Sequence, residues 1–265
     1  MNNPYALIAF AIHQTSVGFR YHQTYLVVVK VNHHSFECNI NGIEYKEMSG
    51  FVLRQGVGHA CTASDTRAMV LLVDTESSLG WQLKQILGAE DVLRIESLLT
   101  PDQLLSLQIP DSDQLDPDKL FERYQLLLNL LFLPAPSFES EARMDSRVLT
   151  MLNYINANIG KKIELDDIAR LVFLSPERVR HLFAKEAGIS FSQYILWERV
   201  KNVIYCVMTD NIPIKKAAAQ SGFTDQAHFS KIFKRMFGMS ARPVFKNSRF
   251  IQFLNPDVRV PLSDI

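Results

Sequence analysis

Several things are missing from this 265-residue chain, and each absence excludes a class of protein. No apolar run reaches the ~20 residues needed to cross a bilayer as a helix. The N-terminal stretch "MNNPYALIAFAIHQTS" is apolar in part but has no basic segment ahead of it, so it does not read as a signal peptide. Cysteine is scarce: Cys38, Cys61 and Cys206 are scattered and form no CxxC pair. That pattern supplies neither a zinc site nor a disulfide framework and fits a reducing cytoplasm. There is no GxSxG elbow, no phosphate-binding glycine loop and no cysteine with an evident histidine partner, so no catalytic constellation stands out.

Net charge is also absent overall, but not locally. Residues 1–144 carry 10 Lys+Arg against 17 Asp+Glu, whereas residues 145–250 carry 17 against 9. An acidic half followed by a basic half implies two domains, the second suited to a polyanion, although a basic surface without a partner fits the charge equally well. The sign flips at "LPAPSFESEARM" (133–144), whose prolines, serines and charges mark a linker. The boundary is set there, giving domains at 1–139 and 140–265.

In the first half, "ALIAFAI", "TYLVVVKV", "SFECNI", "GFVLRQ" and "RAMVLLVD" read as short strands. Asn41-Gly42 marks a hairpin. Short strands at this spacing predict a small antiparallel barrel or sandwich. Two helices follow. "SSLGWQLKQILGA" starts at a serine pair, and "DPDKLFERYQLLLNLLF" places Leu120, Phe121, Tyr124, Leu127, Leu128 and Leu131 on a wide apolar face. That face packs on its own barrel, forms a dimer seam, or does both.

The basic half contains a repeat. Leu165, Ala169 and Ser175 recur as Ile214, Ala218 and Thr224 at an offset of 49, and Phe183, Gly188 and Ser190 recur as Phe233, Gly238 and Ser240 at an offset of 50. One residue inserted at the start of the second long helix accounts for the difference. Each copy reads as helix, tight turn, helix: a small alanine for close crossing, a Ser or Thr cap at the turn, and a glycine C-cap. This is the helix-turn-helix pattern, whose second helix enters the DNA major groove. Between the copies, "FSQYILWERVKNVIYCVMTD" predicts a long buried helix holding the units apart, and two such helices reach successive major grooves if ~34 Å separates them.

Residues 145–248 resemble the DNA-binding domain of the AraC/XylS family of bacterial transcription regulators. The resemblance is carried by Arg199-Val200, Ile214 with Ala217-Ala218, Gly222-Phe223, Phe229, Phe233 and Gly238-Met239-Ser240. More weakly, "INGIEYKEMSGFVLRQGVGHA" is similar to the cupin-like sensor domain of that family. Two departures stand out. The closing proline of the pattern is replaced by Ala241, and Phe173 occupies the place that Gly222 holds in the second copy, so Phe173 must turn without a glycine or pack inward.

The resemblance implies an α+β protein: an N-terminal antiparallel cupin-like β-barrel with trailing helices, then an all-α domain of two helix-turn-helix units joined by a long helix. It implies binding to double-stranded promoter DNA, activation through contact with RNA polymerase, a homodimer, and a small effector in the barrel that biases the arrangement of its DNA-binding domains. In the first reading helix Val179, Leu182 and Phe183 face the core. Glu177, Arg178, Arg180 and His181 lie on the other face, with Glu177, Arg180 and His181 at the family's base-reading positions. Arg suits guanine and Glu suits cytosine. In the second, Phe229, Ile232, Phe233 and Phe237 face inward. Gln226, Ala227, Ser230 and Lys231 face the groove, with His228 at its edge. Lys234 and Arg235 suit phosphate, while Lys215 and Lys216 either touch the backbone too or simply form a solvated face. Asp225 is expected to favour the helix N-terminus.

Five of the seven histidines fall in residues 1–59. His33 and His34 are adjacent on an expected strand and so point to opposite faces, which prevents them from sharing a metal. His22 and His59 are candidates to line the barrel and touch a ligand, with Arg20, Tyr25 and Arg54 beside them or simply on strand surfaces. No cofactor is expected. Two alternatives stay open: a regulator with no small effector, controlled by abundance or a protein partner, and a cupin-type metalloenzyme fused to a DNA anchor.

Overall fold

The structure, a computed structural model, describes residues 7–20, 22–34, 36–110, 117–132, 144–238, 240–246 and 251–254. The described residues fall into two compact units: a sheet unit, comprising residues up to 132 together with 251–254, and a helical unit spanning 144–246. The expected linker at 133–144 lies outside the described residues except for Met144.

The sheet unit is organised by two long strands, β1 (Leu7–Arg20) and β6 (His59–Val73), paired antiparallel along their whole length. On its other side β6 pairs with two short strands in succession, β2 (Tyr25–Lys30) along its C-terminal part and β3 (Phe36–Ile40) along its N-terminal part. Three strands extend these pairs: β4 (Ile43–Met48) on β3, β5 (Gly50–Leu53) on β2 and β7 (Val92–Arg94) on β5. A last strand, β8 (Ile251–Leu254), comes from the far end of the chain and pairs with β1.

The expected barrel is therefore not formed. The strand order β4-β3-β6-β2-β5-β7 ends on two different edges, and no pairing among the described strands joins them. One edge explains why. Glu44, Lys46 and Glu47 of β4 are exposed, and charged edge residues keep a strand solvated rather than paired. The other edge strand, β7, is only three residues long. The fold is an open α+β sheet domain followed by a helical domain.

The Asn41-Gly42 hairpin forms as the dipeptide predicts: both residues have positive φ (49° and 85°), and Gly42 N–H donates to Asn39 Oδ1 at 3.0 Å. The cysteines behave differently from expectation. Cys38 and Cys61 face each other across β3 and β6 with Cα atoms 4.2 Å apart and are joined by a disulfide. Their spacing in sequence hides this, because strand register rather than a local motif brings them together.

Helices cover the sheet. α1 (Ser78–Leu87) begins at Ser77, whose hydroxyl accepts from Gly80 N–H at 3.0 Å. A 3-10 turn (Ile95–Ser97), the short α2 (Pro101–Ser106) and α3 (Pro117–Leu131) follow. Leu120, Tyr124, Leu127 and Leu128 of α3 are buried in one core with Val27, Val29, Met69, Leu71, Leu79 and Leu83. Phe121, on the same expected face, is exposed. No described helix is long and apolar enough to cross a membrane.

The helical unit contains α4 (Ser146–Ala157), α5 (Leu165–Leu171), α6 (Pro176–Ala187), α7 (Phe191–Met208), α8 (Ile214–Gln220), α9 (Gln226–Phe237) and α10 (Ala241–Lys246). α10 forms across the position where Ala241 replaces the family's proline, and Ala241 is buried. The α4, α5 and α6 core centres on Val148, Met151, Ile155, Ile168, Val179 and Phe183, closed by Phe191 and Tyr194 of α7. A second aromatic cluster serves α9, with Phe223, Phe229, Phe233, Phe237 and Phe245 in mutual ring contact.

Candidate nucleic-acid interface

Each repeat ends its first helix in the same backbone device. After α5, Phe173 N–H donates to Arg170 O and Leu174 N–H to Ala169 O at 3.0 Å; after α8, Gly222 N–H donates to Ala219 O at 3.2 Å and Phe223 N–H to Ala218 O at 3.0 Å. These are paired Schellman bonds, which place one residue in the left-handed region. In the second copy that residue is Gly222 (φ 80°), and in the first it is Phe173 (φ 54°). Phe173 does not pack inward. It is 93% exposed, so the chain accepts a bulky residue at a glycine position without burying its ring.

The one-residue offset between the copies lies in the turns, not at the start of the second long helix. The first turn runs from 172 to 175 and the second from 221 to 225. The caps differ accordingly. Ser175 caps α6, its hydroxyl accepting from Arg178 N–H at 3.4 Å. α9 is capped by Asp225, which accepts from His228 N–H at 2.7 Å, and not by the Thr224 that the offset of 49 suggested. Gly188 and Gly238 then end α6 and α9 in left-handed conformations.

With both helices anchored, their outer faces are defined. On α6, Val179 and Phe183 are fully buried and Leu182 partly so, while Glu177, Arg178, Arg180 and His181 are exposed. Three of those four are linked: Arg180 Nη1 lies 2.9 Å from Glu177 Oε2, and His181 Nε2 lies 3.0 Å from Glu177 Oε1. The sequence treats them as separate readers, but in the free protein one carboxylate is the partner of both neighbouring side chains. On α9, Phe229, Ile232, Phe233 and Phe237 are buried. Ala227, His228, Lys231, Lys234 and Arg235 are exposed, and Gln226 and Ser230 are half-buried. The His228 ring rests edge-on against Phe223 at 5.4 Å between centroids, which fixes its direction. Lys215 and Lys216 are exposed on α8. Beside α6, a groove of about 580 Å³ opens toward the start of α7, with Lys162, Arg180, His181, Ser190 and Arg199 among its lining residues.

Residues 168–247 match the family model described as a helix-turn-helix domain. The arabinose operon regulatory proteins of Salmonella typhimurium and Escherichia coli are 34% and 33% identical over 98 residues, covering 37% of this chain and 35% and 34% of theirs. Through this helical unit the chain is similar to the AraC-type helix-turn-helix regulators. The Msm operon regulatory protein of Streptococcus mutans adds 31% identity over 121 residues, 45% of this chain and 44% of that one. These alignments span about a third to somewhat under half of each relative's length. Across both units the fold is similar to that of ToxT from Vibrio cholerae, with a TM-score of 0.54 at 13% identity over 91% of this chain and 98% of that one. At that identity the likeness concerns the fold alone.

Among the described side chains, the ligand candidates of the sheet unit do not gather into one site. Arg54 is occupied in holding the loop after α1: its guanidinium donates to Gly88 O at 2.8 Å and to Glu90 O at 2.8 and 3.2 Å, and lies 3.6 Å from Asp91. His22 and His59 are in ring contact, centroids 5.0 Å apart, with Phe51 beyond at 6.3 Å from His59. His59 is buried, and its Nδ1 lies 3.4 Å from Val57 O. Tyr25 is buried within the core formed with α1 and α3. Burial raises its phenol pKa, and the nearby Arg54 charge and a hydrogen bond with Gln55 oppose that shift. Arg20 stands opposite His59 in the β1–β6 register, and its side chain lies outside the described residues. His33 and His34 are exposed in a bend between β2 and β3 rather than on a strand, so strand alternation does not separate them.

Proposed function

We propose that this protein is a sequence-specific DNA-binding regulator of transcription that reads double-stranded promoter DNA with α6 and α9. The observation that carries the reading is the pair of core-anchored helices, each presenting an exposed polar face, in a segment with 17 basic against 9 acidic residues. Arg178, Arg180, His181 and Glu177 on α6, and Gln226, Ala227, His228, Ser230 and Lys231 on α9, form the reading face. Lys234 and Arg235 meet phosphate, which supplies affinity without sequence information. DNA contact requires Glu177 to exchange its bonds with Arg180 and His181 for base edges, an exchange available because all three are solvated.

In this reading the chain is a cytoplasmic regulator without catalytic chemistry. It acts as a homodimer, and it activates transcription through RNA polymerase from residues 140–265 while residues 1–139 sense and dimerise. The exposed Phe121 of α3 supports the dimer seam. A small effector in the sheet unit is supported by the ring contact between the half-buried His22 and the buried His59 and by a structure of ToxT with a bound unsaturated fatty acid, which has a TM-score of 0.51. Such an effector gates the protein only if it binds the two arrangements of the DNA-binding units with different affinity.

Selection of bound sequences from randomised DNA tests the function directly. One enriched motif with two segments about one helical turn apart is expected. Binding with no enrichment over random DNA sinks the proposal.

A further inference from the structure

One side chain, Arg199, lies between the loop ahead of the first repeat and the turn of the second. Arg199 lies on α7, the helix between the repeats. Its Nε donates to Ile159 O at 3.2 Å and its Nη2 to Lys161 O at 2.8 Å, both carbonyls in the loop that leads into the first repeat. The other side of the guanidinium abuts the turn of the second repeat. A Cβ placed on Gly222 would stand 2.8 Å from Arg199 Nε, 2.9 Å from its Cζ and 2.8 Å from Ile159 O. The two backbones also touch directly, since a Cβ on Gly160 would stand 2.3 Å from Gln220 O. The same turn is held to α7 a second time, by Asn202 Nδ2 donating to Ser221 Oγ at 2.9 Å, while Ser221 Oγ donates to Ala217 O at 2.8 Å.

We infer that Arg199 is the positioning residue that fixes the register between α6 and α9, by clamping the entry loop of the first repeat onto the turn of the second. The inference rests on the reading of both helices as DNA readers. Its chemistry is that of a planar fork. Two donors of one guanidinium reach two carbonyls two residues apart, and the flat group leaves just enough room for a glycine turn beneath it. An ammonium on a flexible stem offers no such pair of fixed directions. Only a fixed register lets a protein reject DNA in which its two half-motifs are misplaced. One inserted base pair moves the second half-motif by ~3.4 Å and turns it by about 35°.

The test uses the full-length chain, the DNA motif it selects from a random pool, the same motif with one base pair inserted between its halves, and each half-motif alone. The wild-type protein should lose ~10- to 100-fold in affinity on the insertion, the effect of losing one or more base contacts. Arg199→Lys and Arg199→Met should bind each half-motif within about twofold of wild type, bind the intact motif more weakly, and show an insertion penalty shrunk to about threefold or less. A variant that melts cooperatively yet keeps the wild-type penalty overturns the inference. Loss of half-motif binding together with intact-motif binding also overturns it, because that is the mark of a general structural role. If Arg199→Met does not fold, Arg199→Lys decides alone. If the wild-type chain enriches no motif, the functional reading falls and the clamp is judged by amide exchange. Arg199→Lys must then speed exchange at Ser221, Gly222 and Phe223 while leaving Val179 in α6 protected. Unchanged exchange at the turn overturns the clamp.

Discussion

Replacing Phe173 by glycine should make this protein more stable. Phe173 sits at φ 54° in the turn between α5 and α6, where the paired bonds to Arg170 O and Ala169 O force a left-handed residue. A side chain with a Cβ pays ~1–2 kcal/mol for that conformation. The ring returns nothing measurable through burial, because it is 93% exposed. Glycine removes the strain but adds freedom to the unfolded chain, at a cost of ~0.4–1 kcal/mol. The net expectation is a gain of roughly 0.5–1 kcal/mol, or about 2–8 °C in the melting temperature of a domain near one hundred residues. Thermal melting of the full-length chain, following the transition of the helical unit, measures it. Phe173→Ala is the control, since it removes the ring and keeps the strain, and it should melt close to wild type. The reasoning is refuted if Phe173→Gly melts at or below wild type, or if Phe173→Ala proves as stabilising as glycine.

The second repeat should respond in the opposite direction. Gly222→Ala adds the left-handed cost to a clash with Arg199 and Ile159, and should destabilise by about 2–4 kcal/mol in urea denaturation. On DNA, Arg180→Ala should relax preference at one base pair at a cost of ~1–3 kcal/mol, whereas Lys234→Ala should weaken all sequences alike and lower the salt slope by ~1, both read from binding titrations across salt concentrations. Reducing the Cys38–Cys61 disulfide, which closes a loop with a sequence separation of 23, should destabilise the sheet unit by roughly 3 kcal/mol and lower its denaturation midpoint in the presence of a thiol reductant. The Asp145 carboxyl should titrate at about 2 by NMR, because the Arg147 side chain, then its backbone N–H, hydrogen-bond the ionised form. Since the folded value is the lower one, this contribution to stability is complete above about pH 4 and is lost as pH falls toward 2.

The helical unit was far more legible in the sequence than the sheet unit, and the reason is the range of the contacts involved. The periodicity of Val179 and Phe183, the apolar run from Tyr194 to Ile204 and the glycines at 188 and 238 each report on residues within a turn or two, and each appears where the spacing puts it. The caps show the limit of that logic. Thr224 and Asp225 are both capable N-caps, and only the extra residue in the second turn makes Asp225 the one whose carboxylate meets His228 N–H. In the sheet, strand existence and the Asn41-Gly42 turn were readable, but closure was not. Whether a sheet closes depends on its two outermost strands meeting, and the exposed charges of β4 together with the three-residue β7 decide against it. The disulfide is hidden for the same reason, because Cys38 and Cys61 become neighbours only once β3 and β6 take their register.

At the proposed reading face, sequence could list the outward residues of each helix but not how they pair with one another in the free protein. Glu177, Arg180 and His181 share a face at the three- and four-residue spacing that lets side chains meet, so the carboxylate that suits cytosine is also the partner of both of these side chains. The same holds between the repeats. Aligning them shows Phe173 where Gly222 stands, and a glycine at such a place is commonly credited to its φ alone. Here φ is not sufficient, since the first repeat adopts the same bonds with phenylalanine. What separates the two positions is space. Nothing crowds the exposed Phe173, whereas Arg199 and the Ile159 carbonyl lie against Gly222. The glycine of the second turn is therefore required by the clamp that joins the two repeats, and the first turn, which carries no such clamp, is free to pay strain instead.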